Sequence, residues 1–524
     1  KKRKMPVPEL IAFGPGVKPA EDQFDALVVV GLNAAAYDDA VVEAHRKVDV
    51  QFGSTAVLVP TPSVHGGRLV LSQVAPLADY DDVRRFADAA RAGVLKAKNA
   101  GSVRPFLALV NVPETEGFEN ALVVSLLGAL AGLYEIIQGR EGNGEDVVEP
   151  VKAIGFSVAS EAEVVSVPRL VRAIEEGRRV AKDLCSGDPE RMSALKCTEY
   201  IVAAFAGSNV TVEVEGDLDV LERDYPLLHA VARASIPVKR HHPTVVRLTL
   251  KGEGEIEESV LFGGKGITYD TGGADVKAGG IMAGMHTDKG GASAVAGFFK
   301  TASLLPLKGI QLVAELGFVR NSIGSDAYVA DEIIKSHAGV RVYVANTDAE
   351  GRMVLSDLIS HLRVKAIAEN LPKPQFFTCA TLTGHAARSV GHYPITLDNP
   401  IARDRGTSVD LQRVGEVWGD PFEVSRLRKD DFEFIKPKNK AYDVVQCNLA
   451  ASSVTARGHQ FPAAFISIAS GVNKQTRASD YPIAYTHLDI AGASSEDGDL
   501  LFGRPTGVPI VALTAKYLIP RIAQ

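Results

Sequence analysis

Short apolar runs rich in β-branched residues alternate with stretches of helical periodicity along most of this chain, and that alternation limits the fold more than any other feature. Ala26–Gly31 (ALVVVG), Ala56–Val59 and Phe106–Val112 (FLALVNV) read as buried strands. Between the last two, Asp81–Asn99 sets Val83, Phe86, Ala87, Ala90 and Val94 on one helical face. The pattern returns further on with strands at Val245–Leu250, Ser259–Phe262, Gln311–Leu316, Val342–Ala345 and Phe376–Thr381. A helical stretch, Met353–Asn370, intervenes and ends near Pro372. Strands separated by helices pair as parallel neighbours, because each helix carries the chain back along the sheet. The predicted fold is therefore α/β, with mixed, mostly parallel sheets flanked by helices.

A chain of 524 residues exceeds what one hydrophobic core supports, so two domains are expected. The junction falls where Ser166 can cap a helix with Pro168 in its first turn, running through Leu170, Val171, Ile174 and Val180 to Leu184. This predicts an N-terminal α/β domain over residues 1–165, a linking helix over 166–190 and a C-terminal domain over 191–524. A loop is expected at Gly139–Asp146. The most apolar stretch, Ala121–Ile137, is interrupted by Ser125, Gly128, Gly132 and Glu135, so it reads as a buried helix rather than a membrane span.

The net charge of −7 offers no basic face for a phosphate backbone, so no nucleic-acid partner is expected. Cys185, Cys197, Cys379 and Cys447 are scattered, which suits a reducing compartment and a cytoplasmic location. Lys-Lys-Arg-Lys precedes Met5 without an apolar run behind it. It is not a secretory signal, and reads either as a nuclear address or as residues ahead of the native start.

Two polar, glycine-rich segments each follow a predicted strand, where ligands bind in open α/β sheets. The first, Gly263–Gly291, carries Lys265, Asp270, Lys277 and Asp288. Taken alone, it would pass for a solvated turn cluster. The second, Val344–Asp357, carries Asp348 and Glu350 two residues apart, followed by Arg352. Two close carboxylates raise each other's pKa, and a divalent ion removes that penalty. Asp348 could instead cap the following helix, but a cap leaves Glu350 and Arg352 unexplained. Together Asp270, Asp288, Asp348 and Glu350 are the carboxylate complement that a two-metal site needs, if the loops meet.

The seven residues Asn346 to Arg352 (NTDAEGR) match the signature of the leucyl aminopeptidase family without substitution. Lys265-Gly-Ile-Thr-Tyr-Asp-Thr-Gly-Gly273, continuing to Lys277 and Asp288, resembles that family's metal-binding segment. Ala380–Gly384 (ATLTG) and His487–Gly492 (HLDIAG) extend the similarity over roughly residues 245–515. The first 165 residues carry no matching motif.

The resemblance implies a metal-dependent aminopeptidase that removes the N-terminal residue of short peptides by a metal-bridging hydroxide. Asp270 and Glu350 would bridge two divalent ions. Asp348 would complete the tighter site, and Lys265 and Asp288 the more exchangeable one. Zinc or manganese is implied, with magnesium or cobalt acceptable in one site. A lysine ligand must be a neutral amine, which the adjacent cations would favour. Lys277 would stay protonated and stabilise the oxyanion. Arg352 would hold a bicarbonate acting as general base. The substrate's free α-amine would bind one metal. Met285, Thr381 and Gly384 match positions lining the pocket for the first side chain. A cytoplasmic homohexamer is implied, with no membrane partner.

The chain is a divergent member of its type. Asp275 stands where an uncharged residue is usual, His286 and Lys289 flank Asp288, and His385 replaces an alanine. Residues 315–340 lack the usual Glu-Asn-Met and Pro-Gly-Asp elements. These departures leave a second reading open, a structural or binding protein of the same fold with weak or lost peptidase activity.

Overall fold

The computed structural model describes residues 7–20, 22–74, 76–496 and 503–523. The basic run Lys1–Lys4 lies outside the described residues. The chain divides into two compact units. One runs up to Glu176 and includes Arg413–Asp420; the other comprises Gly177–Gln412 and continues from Pro421. Arg413–Asp420 therefore groups with the first unit although it lies inside the 191–524 span. Within that unit, Asn120 Nδ2 donates to the Val417 carbonyl.

In the first unit, six strands form one sheet: β1 (Glu9–Phe13), β2 (Ala26–Gly31), β3 (Val57–Pro60), β4 (Arg68–Gln73), β5 (Pro105–Val110) and β6 (Ala153–Ser157). Their order is β1-β6-β5-β2-β4-β3, parallel throughout except for β3 against β4. β2 lies inside the sheet, which is why ALVVVG is almost continuously apolar. The helix Arg84–Asn99 buries Phe86, Ala90, Val94 and Ala97, the i, i+4 stripe of a core-facing helix.

Three sequence expectations change here. Gly139–Asp146 is not an open loop; two short helices, Ile137–Asn143 and Glu145–Val148, meet at Gly144. The apolar run Ala121–Ile137 breaks after Leu133. No single described helix is long and apolar enough to cross a membrane, and the pair Ala121–Leu133 and Ile137–Asn143 is bent by 51°. The helix crossing the unit boundary begins at Glu163 and ends at Ser186, so Ser166 does not cap it. Glu163 accepts from the Ala159 and Ser160 backbone N–H groups instead, and the Ser166 hydroxyl bonds back to the Ala162 carbonyl. Glu163 thereby ties the residues leading into the helix to its first turn, one turn ahead of the position Ser166 was expected to cap.

In the second unit the strands are β7 (Thr211–Glu215), β8 (Thr244–Lys251), β9 (Glu253–Asp270), β10 (Lys308–Asn321), β11 (Ile333–Lys335), β12 (Arg341–Tyr343), β13 (Pro374–Ala380), β14 (Ile395–Asp398), β15 (Glu423–Arg426), β16 (Val444–Val445) and β17 (Ala484–Asp489), besides a two-stranded ribbon of Ser495–Glu496 with Arg504–Pro505. Eight of them form a mixed sheet ordered β15-β14-β17-β13-β9-β10-β8-β7, and β11, β12 and β16 form a small separate one. The central strands β10, β9, β13 and β17 are mutually parallel, so their carboxyl ends open on one edge. Asp270, Asn321, Ala380 and Asp489 stand at those ends. Phe262 stacks on Phe377 at 5.2 Å between centroids and meets Phe298, fixing β9 to β13 and to the helix Gly290–Ala302.

Candidate active site

β9 brings Lys265 and Asp270 to the edge of the sheet, and the turn after it carries Lys277. The short helical segment Met285–Lys289 carries Asp288. The loop between β12 and the helix Gly351–Ala368 carries Asp348 and Glu350. These segments meet. Carboxylate oxygens of Asp270, Asp288 and Glu350 lie within 4.8 Å of one another. Lys265 Nζ stands 2.8 Å from Asp288 Oδ1 and 3.0 Å from Glu350 Oε1, and donates to the Thr381 carbonyl at 2.9 Å. Lys277 Nζ stands 2.9 Å from Asp270 Oδ2 and 2.5 Å from Asp348 Oδ1. The sequence-predicted ligands thus form one cluster joined by two ammonium groups.

Two glycines make the approach possible. A Cβ on Gly351 would sit 2.5 Å from Lys265 Cε and 2.8 Å from its Nζ, so the signature needs glycine there to admit the lysine. Gly272 has φ +85°, and a Cβ on it would meet the Asp275 carbonyl at 2.4 Å. A side chain would therefore force the Lys277 turn open.

The electrostatics are those of an acidic cluster short of positive charge. Burial raises the Glu350 and Asp348 pKa values, and the neighbouring Asp270 raises them further. Burial also raises Asp288, partly countered by Lys265. Burial alone would lower the Lys265 and Lys277 pKa values, but the surrounding carboxylates outweigh it and hold both ammonium groups above the ordinary amine value. Four carboxylates face two ammonium groups. Asp288 Oδ2 and Glu350 Oε2 are buried with no hydrogen-bond partner. Buried anionic oxygens without donors are costly unless a cation satisfies them. The donor set of hard carboxylate oxygens with one amine nitrogen fits divalent ions.

Asp348 does not cap the following helix. Its Oδ1 faces Lys277, its N–H is held by Asn346 Oδ1, and the cap position is taken by Glu350, whose side chain makes no cap bond. Arg352 is buried beside the cluster rather than in it. One of its N–H groups donates to the Gln446 carbonyl at 3.0 Å, its guanidinium lies 5.0 Å from the Phe461 ring centre, and Nε has no partner. The Thr381 hydroxyl donates to Asp288 Oδ1 at 2.7 Å. Gly384 N donates to Ser452 Oγ at the start of a helix, and Met285 is half-buried. The unusual Asp275 bonds to Thr347, and His385 bonds to His459.

Several residues that hold this site together escaped the sequence reading. Gln446 accepts from the Ala345 and Asn346 N–H groups and donates to the Asn346 and Ala349 carbonyls, bracing the signature loop. Asn321 Nδ2 donates to Asp270 Oδ1 and to the Thr347 carbonyl, which Tyr328 OH also reaches at 2.7 Å. Asn321 and Tyr328 lie in the divergent 315–340 segment. Neither carried a sequence signal, because the strand predicted there stopped at Leu316 whereas β10 runs to Asn321. Asp489 anchors the loop after β13 by accepting from Leu382 N and Thr383 Oγ1.

Comparison with known proteins identifies the family and the fold. The catalytic domain of the cytosol aminopeptidase family matches residues 179–514. A Caenorhabditis elegans protein whose name calls it an aminopeptidase is 38% identical over 518 residues, covering 96% of this chain and 97% of its own length. Leucyl aminopeptidase from Trypanosoma brucei, solved in complex with actinonin, superposes with a TM-score of 0.77 at 21% identity, covering 97% of this chain and 95% of that one. The bottromycin maturation enzyme BotP, solved in complex with Mn, superposes with a TM-score of 0.73 at 20% identity, covering 93% and 98%. Both solved structures share the two-domain α/β fold.

Proposed function

The chain belongs to the cytosol aminopeptidase family, and on that premise we propose that it is a di-metal aminopeptidase of the leucyl type, acting on short peptides with a free amino terminus. One observation carries the reading. Asp288 Oδ2 and Glu350 Oε2 are buried without a donor in a cluster where carboxylates outnumber ammonium groups. Divalent cations satisfy such oxygens together, where a single hydrogen bond would satisfy one.

Lys265, Asp270, Asp288, Asp348 and Glu350 would hold two ions, with Asp270 and Glu350 between them. Zinc or manganese suits the set, with magnesium or cobalt at one position. The chemistry that the pair supplies when bound is a bridging hydroxide as nucleophile and polarisation of the scissile carbonyl. Lys277, a buried ammonium on the same edge of the sheet, would stabilise the oxyanion. Arg352, with Nε uncommitted, would hold a bicarbonate that takes the proton from the attacking water. Met285, Thr381 and Gly384 would line the pocket for the first side chain. None is charged, and the Asp275 and His385 side chains are engaged by Thr347 and His459, so uncharged first residues are preferred.

We assign the catalytic machinery to residues 191–524, with residues 1–165 as a separate domain and the helix Glu163–Ser186, in place of the expected 166–190, as the link between them along the chain. The assembly we propose is a cytoplasmic homohexamer, and light scattering that reports a monomer at micromolar concentration would count against it. The central test is metal content measured beside turnover of leucyl-amide and cysteinyl-glycine. Two bound ions with hydrolysis support the reading. Two bound ions without hydrolysis of any aminoacyl substrate would favour a scaffold of the same fold.

A further inference from the structure

Resting on that reading, we propose that Asp275 is a positioning residue that, with Thr347, clamps the Lys277-bearing turn onto the Asp348-bearing loop. The contacts are reciprocal. The Thr347 N–H donates to Asp275 Oδ2 at 2.7 Å, and the Asp275 N–H donates to Thr347 Oγ1 at 2.8 Å. Thr347 Oγ1 also lies 2.7 Å from the Gly272 carbonyl and 3.1 Å from Asp275 Oδ2. A hydroxyl has one proton, which goes to the nearer Gly272 carbonyl, while its lone pair accepts from Asp275 N–H. Two segments 72 residues apart are thereby tied to each other from both sides.

Thr347 is itself immobilised. Its carbonyl accepts from Asn321 Nδ2 and Tyr328 OH, so its peptide is held at the nitrogen, the carbonyl and the side chain. The start of the Lys277 turn is held locally: Gly272 N–H donates to Asp270 Oδ1, Gly273 N–H to Thr271 Oγ1, and the Thr271 hydroxyl to the Asn321 carbonyl. Gly272 and Gly273 both have positive φ, and beyond them the Lys277 N–H bond to the Thr271 carbonyl closes the turn on itself. Lysine carries a long, freely rotating stem, so the place of its ammonium depends on where the turn is anchored. The Asp275–Thr347 clamp anchors it one residue from Asp348 and two residues from Lys277. The acidic residue at 275, unusual for the family, therefore acts through geometry. Its carboxylate bonds to the Thr347 N–H.

The test uses the full-length, metal-loaded protein with leucyl-amide as substrate. Asp275→Ala is expected to lower kcat by about 10- to 100-fold while KM changes by less than about twofold, the result of a small misplacement of a catalytic group. Both metals should stay bound. Asp275→Asn keeps an acceptor for the Thr347 N–H and is expected to stay within about threefold of the unmodified kcat, since an acceptor and not a charge is required. Thr347→Val removes the other half of the clamp, the hydroxyl that takes the Asp275 N–H and reaches the Gly272 carbonyl, and is expected to lower kcat as Asp275→Ala does, with both metals retained. Amide exchange across residues 271–277 should accelerate in Asp275→Ala.

An unchanged kcat in Asp275→Ala, loss of metal together with activity, or an Asp275→Asn variant as poor as the alanine would each overturn the proposal. Amide exchange separates this idea from the proposed function. If the unmodified protein binds metal but hydrolyses nothing, faster exchange in Asp275→Ala still supports the clamp. If the unmodified protein turns over normally and exchange does not change, the clamp alone is refuted.

Discussion

Replacing Lys277 by Ala should separate catalysis from metal binding. Its ammonium is almost buried, 2.9 Å from Asp270 Oδ2 and 2.5 Å from Asp348 Oδ1. At an effective dielectric of ~20, a unit charge pair 2.9 Å apart attracts by roughly 6 kcal/mol. That attraction holds only while the carboxylates are otherwise unneutralised. With two divalent ions in the cluster the same ammonium is repelled, so removing it should leave metal affinity equal or higher. Metal-free protein should lose stability, because the buried Asp270 and the half-buried Asp348 lose their counter-charge. Turnover should fall for a different reason. A single oxyanion donor is typically worth about 10²–10³ in kcat, or roughly 2.7–4 kcal/mol. The assay is metal content by plasma mass spectrometry beside kcat and KM on leucyl-amide, with melting temperatures of the metal-free and metal-loaded forms. Full activity in Lys277→Ala would refute the assigned role. Loss of metal in step with activity would refute the separation of the two functions.

Glu350→Ala should lose metal and activity together, since Glu350 places both carboxylate oxygens in the cluster; a variant with two metals and normal turnover would contradict the bridging role. Gly351→Ala would put a methyl 2.5 Å from Lys265 Cε and push the amine off Asp288 and Glu350, so turnover should drop at least about tenfold, as for a misplaced catalytic group, with little change in melting temperature. Asp357 tests the fold by pH. It is buried, it accepts from the Leu227, Leu228 and His337 N–H groups, and burial raises its pKa to about 7. The unfolded chain releases that proton near ~4, so between the two values the native state binds more protons and stability falls as pH rises, by on the order of 4 kcal/mol in all. Asp357→Asn turns one accepting oxygen into an NH2 that faces a backbone N–H, so it should melt below the unmodified protein near pH 4 and the deficit should shrink towards pH 8; a deficit that widens with pH would refute the assignment.

What the sequence determined by itself was local chemistry. Asn346–Arg352 and Lys265–Asp288 were legible because each packs its carboxylates, lysines and permissive glycines into one short stretch after an apolar strand. Fully buried strands such as β2 and β13 were legible for the same reason, as continuous apolar runs. β9 read as four residues but extends over Glu253–Asp270, because its outer half is polar and its inner half is broken by glycines that close packing requires. β7 and β15 are short, largely exposed and polar, so they carry no apolar signal. Tertiary structure alone decided which distant residues complete the site. Gln446 reaches the signature loop across about 100 positions, and Thr381 reaches Lys265 across 116. The divergent 315–340 segment read as a loss of family elements, yet it supplies Asn321 and Tyr328 to the candidate site. Asp275 read as a departure from the family pattern, and its side chain is tied to Thr347. Hydrogen bonds between segments set far apart along the chain leave no periodicity in it. They exist only once parallel strands bring their carboxyl ends to one edge, where buried donors and acceptors must find partners.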